Sequence, residues 1–297
     1  MLAWTHEPMD YSQVATRVET LNNRFPGLQT GSLGRSLLGK ELFTLYFPAH
    51  AVPDPHAPLL LLTAAFHGME WITSTLLLAF AENLCVRLEQ GSITLKCPVL
   101  MVPCVNPDGV GIQIHGPKAA GRFSHLIYHA CGGDTRRWQA NARGVDLNHN
   151  FDAHWKTLRR MEQKAGIHGP AATQFGGCFP HSEPETRHLV HFCRTHPVGM
   201  AAAFHSQGEE IYYQFGDCLP PRSMEIAKRL ADASGYTLAD PDGLASFGGF
   251  KDWFLQEFQR PAFTIEVGKG KNPLPVDDFP GIYQRIEPLC YALLDAC

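Results

Sequence analysis

Three apolar runs of the 297-residue chain end in, or contain, a side chain that does not belong in a dry core. His67 and Glu70 follow Leu59–Phe66, His205 follows Met200–Phe204, and Glu266 lies inside Phe263–Val267. A charged or polar group in such a place is costly unless a partner or a metal offsets its lost hydration. His67-Gly68-Met69-Glu70 is a His-x-x-Glu pair, and a turn eased by Gly68 brings residues three apart to one point. Two histidines and one carboxylate form a three-ligand set that suits zinc and leaves a fourth position for water. Taken singly, His-x-x-Glu arises by chance, His205 fits a hydrogen-bonded core histidine, and Glu266 fits a structural ion pair. Taken together at strand ends, they point to one converging site, because ligands of α/β sheets gather at the carboxyl ends of strands.

The elements that must position these residues are legible in the hydrophobic pattern. Leu59–Phe66, Val99–Val105, Met200–Phe204 and Phe263–Val267 read as strands buried on both faces, and Leu42–Phe47 alternates as a strand. Tyr11–Arg24, Ile72–Leu88, Met224–Ser234 and Tyr283–Leu294 read as helices. Asn106-Pro107-Asp108-Gly109 reads as a breaker. Ser182-Glu183-Pro184-Glu185 has capping-box spacing, with Ser182 as N-cap of a helix running to about Cys193. Gly111–Asn141 and Ala153–His181 are weakly periodic and read as long functional loops. Strands alternating with helices predict an α/β fold with a mostly parallel or mixed central sheet flanked by helices. With no repeat and no linker, the expectation is a single domain over 1–297, with a short helix–strand segment, 1–50, packed on it.

Composition narrows the partners. A hydrophobic content of 44% and a charged content of 18% exclude disorder as the dominant state. A formal net charge of −4 offers no basic excess for nucleic acid. The apolar stretch Pro58–Phe80 is interrupted by His67 and Glu70, so no membrane span is expected. The first residues lack a basic start and an apolar run, which reads as no signal peptide and a cytoplasmic protein. Nine cysteines without a Cys-x-x-Cys pair read as scattered reduced thiols rather than a disulfide framework.

The chain resembles the zinc carboxypeptidases of metallopeptidase family M14. The resemblance rests on His67-Gly68-Met69-Glu70, Asn106-Pro107-Asp108-Gly109, Gly144–Phe151, Ser182-Glu183-Pro184-Glu185-Thr186, Phe204-His205-Ser206 and Phe263-Thr264-Ile265-Glu266, in the family's order. It implies one zinc ion on His67, Glu70 and His205. It implies Glu266 as the base that activates water and then the acid that protonates the leaving amine. A mostly apolar strand favours the raised pKa such a shuttle needs. The family also supplies an arginine for the oxyanion. Arg136, Arg137 and Arg143 are candidates, with Arg137 preferred.

Two departures from the family pattern concern the substrate. The Asn-Arg pair that grips a terminal carboxylate falls on Asn148-His149, and histidine lacks the charged fork of arginine. The tyrosine that closes over that carboxylate has no counterpart in Leu244–Trp253. Within the family this resembles the γ-D-glutamyl-meso-diaminopimelate peptidases, through Trp138–Asn148, Gly248–Trp253 and Glu266–Pro273. That branch implies a small bacterial cell-wall (murein) peptide as substrate. Asn148, His149, Arg143 and Lys251 are then candidate substrate contacts, with Lys269 and Lys271 as further anion contacts. The alternatives are an ordinary metallocarboxypeptidase removing C-terminal residues, a zinc amidohydrolase acting on small acylated amino acids, and a non-catalytic binding protein.

Overall fold

The computed structural model describes residues 7–49, 57–240 and 247–297. Eight strands form one mixed sheet in the order β1-β2-β4-β3-β5-β8-β6-β7. They are β1 (Gln29–Arg35), β2 (Glu41–Phe47), β3 (Leu59–Ala64), β4 (Val99–Val102), β5 (Val198–His205), β6 (Glu210–Tyr212), β7 (Thr237–Leu238) and β8 (Ala262–Glu266). The helices are α1 (Tyr11–Arg24), α2 (Ile72–Glu89), α3 (Pro107–His115), α4 (Ser124–Cys131), α5 (Trp155–Lys164), α6 (Pro184–Thr195), α7 (Ser223–Ser234), α8 (Phe250–Phe258) and α9 (Phe279–Ala296).

The central strands β4, β3, β5 and β8 run parallel, while β2 and β6 join antiparallel at either side. Strand β3 shows why its sequence is nearly all leucine. Leu60 and Leu62 pack with α2 and α9 on one face, and Leu59 and Leu61 pack with α6 and α8 on the other. A strand covered on both faces has no solvent side on which to place a polar residue. The same parallel register delivers the chemistry. His205, the last residue of β5, pairs with Glu266, the last residue of β8.

Several sequence expectations are corrected. Strand β1 was not anticipated because its side chains are largely exposed, and an edge strand of this kind carries no hydrophobic alternation. Asn106-Pro107 does not break the chain into a loop. Asn106 caps α3, its Oδ1 accepting from Gly109 N at 2.8 Å, with Pro107 at the first position, where its missing N–H costs nothing. The stretches expected to be long loops contain the end of α3 and all of α4 and α5. Ser182 is not the cap of α6; Glu183 holds that position without a side-chain capping bond to the helix, and Ser182 Oγ donates to Glu183 Oε1 at 2.8 Å. Within the N-terminal segment, β2 is hydrogen-bonded to β4 and so is part of the sheet.

The thiols are also not all reduced. Cys97 and Cys297 form a disulfide across a sequence separation of 200, and the other seven cysteines are free. Among the described residues, no helix is long and apolar enough to cross a membrane.

Candidate metal centre and active-site cleft

The turn after β3 is built under strain. Ala65 adopts φ +50, a left-handed conformation that costs a residue with a side chain about 1–2 kcal/mol. It is held there by its N–H donating to Thr73 Oγ1 at 2.9 Å and by its carbonyl accepting Asn106 N at 2.9 Å. The chain then turns through a short 3-10 segment, Gly68–Glu70, which swings His67 and Glu70 to the same side. Gly68 is required for close approach rather than for bending. A Cβ there would stand 2.4 Å from the Gly109 carbonyl oxygen and 2.8 Å from that of Trp138. Three segments of the chain therefore meet at Gly68, and its N–H bonds the Gln139 carbonyl at 2.9 Å.

His67 Nδ1 lies 2.9 Å from Glu70 Oε1, and His205 Nδ1 lies 3.1 Å from Glu70 Oε2. The two Nδ1 atoms are 3.3 Å apart. If both carried protons, donor would face donor; a cation between them satisfies all three groups. Zinc–nitrogen bonds of about 2.0–2.1 Å in a tetrahedron place two ligand nitrogens about 3.3–3.4 Å apart, which is the spacing found. The donor atoms of His67, Glu70 and His205 all lie within 4.8 Å of one another. Burial opposes ionisation of Glu70, yet the two imidazoles hold its carboxyl down at about 2. The residues present thus fit a zinc ion.

Asp146 completes this centre from the side. Its Oδ1 accepts from His67 Nε2 at 3.1 Å and from Asn148 N at 3.1 Å, and its Oδ2 accepts from Gln174 N at 2.9 Å. Despite its burial, its carboxyl is held well below the ordinary range, chiefly by the neighbouring His67. A carboxylate on the far nitrogen orients a ligating imidazole and raises its basicity. Asp146 lies within the Gly144–Phe151 motif, and its role emerges only when that loop folds back against His67.

A cleft of about 220 Å³ opens beside the centre. His67, Glu266, Asn148, His149, Gln139 and Lys251 are among the residues that line it. Burial, together with the Glu70 and Glu210 carboxylates, holds the Glu266 carboxyl well above its ordinary range. Burial likewise pushes the His149 imidazole below its ordinary value. His149 Nδ1 sits 3.1 Å from both the Gln174 carbonyl and Glu162 Oε1, so the single proton of the neutral ring belongs on Nδ1. Its Nε2 is then an acceptor.

The family model for zinc carboxypeptidases matches residues 15–288. The chain belongs to the zinc carboxypeptidase family and is a metallopeptidase. It is 31% identical over 288 residues to gamma-D-glutamyl-L-diamino acid endopeptidase 1 of Lysinibacillus sphaericus, covering 93% of this chain and 69% of the relative. It is 28% identical over 242 residues to murein peptide amidase A of Escherichia coli K12, covering 80% of this chain and 81% of the relative. The structure superposes on carboxypeptidase A from Helicoverpa armigera with a TM-score of 0.74 at 20% identity, covering 98% of this chain and 75% of the other.

Against this zinc carboxypeptidase frame, the expected site residues divide into two groups. His67, Glu70, His205, Glu266, Asn148, His149 and Lys251 come together at the cleft or its metal centre. The arginines do not. Arg137 is exposed and absent from the cleft lining, and Arg136 forks onto Asp134 at the surface. Arg143 turns away to Glu183, 3.5 Å distant. Lys269 is exposed and pairs with Glu209 at 3.0 Å, and Lys271 is exposed. Part of the stretch Leu244–Trp253, in which a closing tyrosine was sought, lies outside the described residues.

Where an arginine was sought, the cleft presents Gln139. The Thr173 hydroxyl donates to Gln139 Oε1, which leaves the Gln139 amide N–H groups to donate elsewhere. Its carbonyl is bonded to Gly68 N, next to ligand His67. No sequence signal separated this glutamine from its neighbours.

The remaining family motifs hold loops together. Asn106 Nδ2 donates to the Phe66 carbonyl at 2.9 Å and to that of Gln139 at 3.1 Å. Asn150 bonds Ser182 Oγ and Thr186 Oγ1, and Asn141 Nδ2 donates to Glu183 Oε2 at 2.8 Å. All but the Asn106–Gln139 bond are buried, where an unmet partner would cost about 1–3 kcal/mol.

Proposed function

We propose that the protein hydrolyses the γ-D-glutamyl–diaminopimelate bond of bacterial cell-wall peptides. The observation that carries this reading is His149. Neutral, with Nδ1–H committed to the protein, it presents an acceptor where ordinary carboxypeptidases present a cationic fork. A lone pair repels a terminal carboxylate and suits a substrate N–H. The names of two relatives, a gamma-D-glutamyl-L-diamino acid endopeptidase and a murein peptide amidase, point the same way.

A zinc ion at His67, Glu70 and His205 would act as Lewis acid and bring the pKa of water to about 7. Glu266 takes the proton from the attacking water. Its raised pKa lets it keep that proton until the leaving nitrogen receives it, a step worth typically ~10²–10⁴-fold. The Gln139 amide meets the scissile carbonyl oxygen as charge develops there, a neutral donor in place of the expected Arg137. Asn148 Oδ1 accepts Phe250 N at 3.0 Å, which fixes its amide so that Nδ2 donates to the substrate.

The test is a panel assayed with and without chelator: L-alanyl-γ-D-glutamyl-diaminopimelate against ordinary peptides with free and amidated C-termini. Chelator-sensitive release of diaminopimelate is expected. Rapid release of C-terminal residues from ordinary peptides, abolished by amidation and unaccompanied by murein-peptide cleavage, would overturn it in favour of a plain carboxypeptidase.

A further inference from the structure

Behind His149, on the side away from the cleft, two side chains of α5 form a charged pair three residues apart. Glu162 Oε1 lies 3.1 Å from His149 Nδ1. Glu162 Oε2 accepts from Arg159 Nη1 and, at 3.2 Å, from Gly176 N. Side-chain exposure is 13% for Arg159, 0% for Glu162 and 10% for His149, so all three have lost most of their water. A carboxylate buried this far keeps its charge only beside a cation, and Arg159 supplies one. The guanidinium is itself seated over the Phe175 ring, 4.7 Å from its centre. Gly176 permits the contact, because a Cβ there would stand 3.1 Å from Glu162 Oε1 and 2.6 Å from the His149 carbonyl oxygen.

Three carboxylates act on the His149 ring, and each has its own positive partner. Asp146 bonds His67, and with it the charge of a zinc ion bound there. Asp252, on α8, accepts from Lys251 Nζ. Glu162 accepts from Arg159. Of the three, Glu162 is the one in hydrogen-bond reach of the ring; the other neighbour of Nδ1 among the described residues is the uncharged Gln174 carbonyl, at 3.1 Å. The charge state of His149 therefore turns on whether Glu162 is answered from its far side.

We propose that Arg159 sets the charge of His149 through Glu162, and so makes the cleft refuse a terminal carboxylate. This rests on the reading of His149 above as a neutral acceptor, and it names the residue that keeps the ring neutral. With Arg159 in place, Glu162 is already paired, and the ring needs only to donate its Nδ1 proton as a hydrogen bond. Without Arg159, the one partner left for the buried charge is the imidazole, and an anion within about 4–6 Å favours the protonated ring. Nδ1–H stays engaged with Glu162 and Gln174, so the added proton goes to Nε2, the nitrogen left for the cleft. An acceptor becomes a cationic donor, the kind of group that binds carboxylate. Arg159 is not among the residues lining the cleft, so it acts as a positioning residue, through two others.

The experiment uses the zinc-loaded enzyme as the parent, as Arg159→Met and Arg159→Gln, as Arg159→Lys, and as the double variant Arg159→Met with Glu162→Gln. Imidazole NMR follows the His149 ring against pH, its signals assigned by their loss in His149→Gln. The parent ring is expected neutral at neutral pH, with its proton on Nδ1. Arg159→Met and Arg159→Gln are expected to move its titration up by about 1–3 in pH, to neutrality or above. An ordinary N-acylated dipeptide, with a free or an amidated C-terminus, is tested for competitive binding. In these two variants the free acid is expected to gain roughly 10–100-fold over the amide, the worth of a charge-assisted hydrogen bond, and to lose the gain as pH rises through the new titration. Arg159→Lys keeps a cation and the double variant removes the anion as well, so neither is expected to show the gain. A merely loosened helix would weaken both ligands alike and produce no pH-dependent gain. A ring that stays neutral in the folded variants, with Glu162 taking the proton instead and no gain for the free acid, overturns this proposal and leaves the reading of His149 standing. A proton on Nε2 of the parent ring at neutral pH, a measurement that needs no stability from any Arg159 variant, overturns both.

Discussion

Glu185 offers the sharpest test of how the cleft's scaffold is held. It lies at the start of α6, fully buried, with Oε1 accepting from Leu37 N at 2.9 Å and Oε2 3.4 Å from Asn141 Nδ2. Burial pushes its carboxyl from 4.5 up to about 7, and the nearby Asp108 and Glu183 charges add to the rise. Between those two values the folded protein holds a proton that the unfolded chain has released. Stability therefore falls as pH rises across this window, and the contribution is fully present only below 4.5. A shift of this size corresponds to roughly 3 kcal/mol, lost by the time pH passes about 7. Glu185→Gln keeps an oxygen for Leu37 N and cannot ionise. Denaturant unfolding of both proteins, with the same metal content, at several pH values from 4 to 8 is the assay. Their difference cancels the opposite trends of depressed groups such as Glu70, whose contribution is lost as pH falls. The variant is expected to gain on the parent as pH climbs from about 4.5 to 7, by roughly 3 kcal/mol in all, and the difference then stays constant. A difference that stays flat across that range would refute the claim that this carboxyl is buried protonated.

Three further outcomes are expected. Glu266→Gln should retain zinc and lose ~10²–10⁴-fold in turnover, measured with metal content checked by elemental analysis; unchanged rates would remove Glu266 from proton transfer. Asp146→Asn sets an amide N–H₂ against the donors of His67 and Asn148 or against Gln174 N, so zinc affinity in a chelator competition should fall roughly 10–100-fold. Thiol titration of the denatured, unreduced protein should find the seven free cysteines, rising to all nine after reduction. Replacing Cys97 and Cys297 with serine should cost about 2–5 kcal/mol of stability, since the bond closes a loop spanning 200 residues; a thiol count of nine without reductant would rule the bond out.

The sequence alone determined the central strands, because burial on both faces demands near-continuous apolar residues such as Leu59–Leu62. It also singled out His67, Glu70, His205 and Glu266, because they are the polar exceptions to those runs. Wherever a residue's role is a local matter of solvation, its type and its neighbours reveal it. The edge strand β1 escaped because, with mostly exposed side chains, it carries no such constraint. Tertiary structure decided everything that depends on meetings between distant segments. Asp146 gains its role 79 residues away from His67, and Cys97 finds Cys297 only when α9 closes over the sheet. Arg137, Gln139 and Arg143 lie within a few residues of one another, and only the path of that loop sends Gln139 to the cleft and both arginines elsewhere. Lys251 looked like one lysine among many. Its place in the first turn of a helix whose start lines the cleft makes it a buried cation with an anionic neighbour, since the fold decides which side chains lose their water.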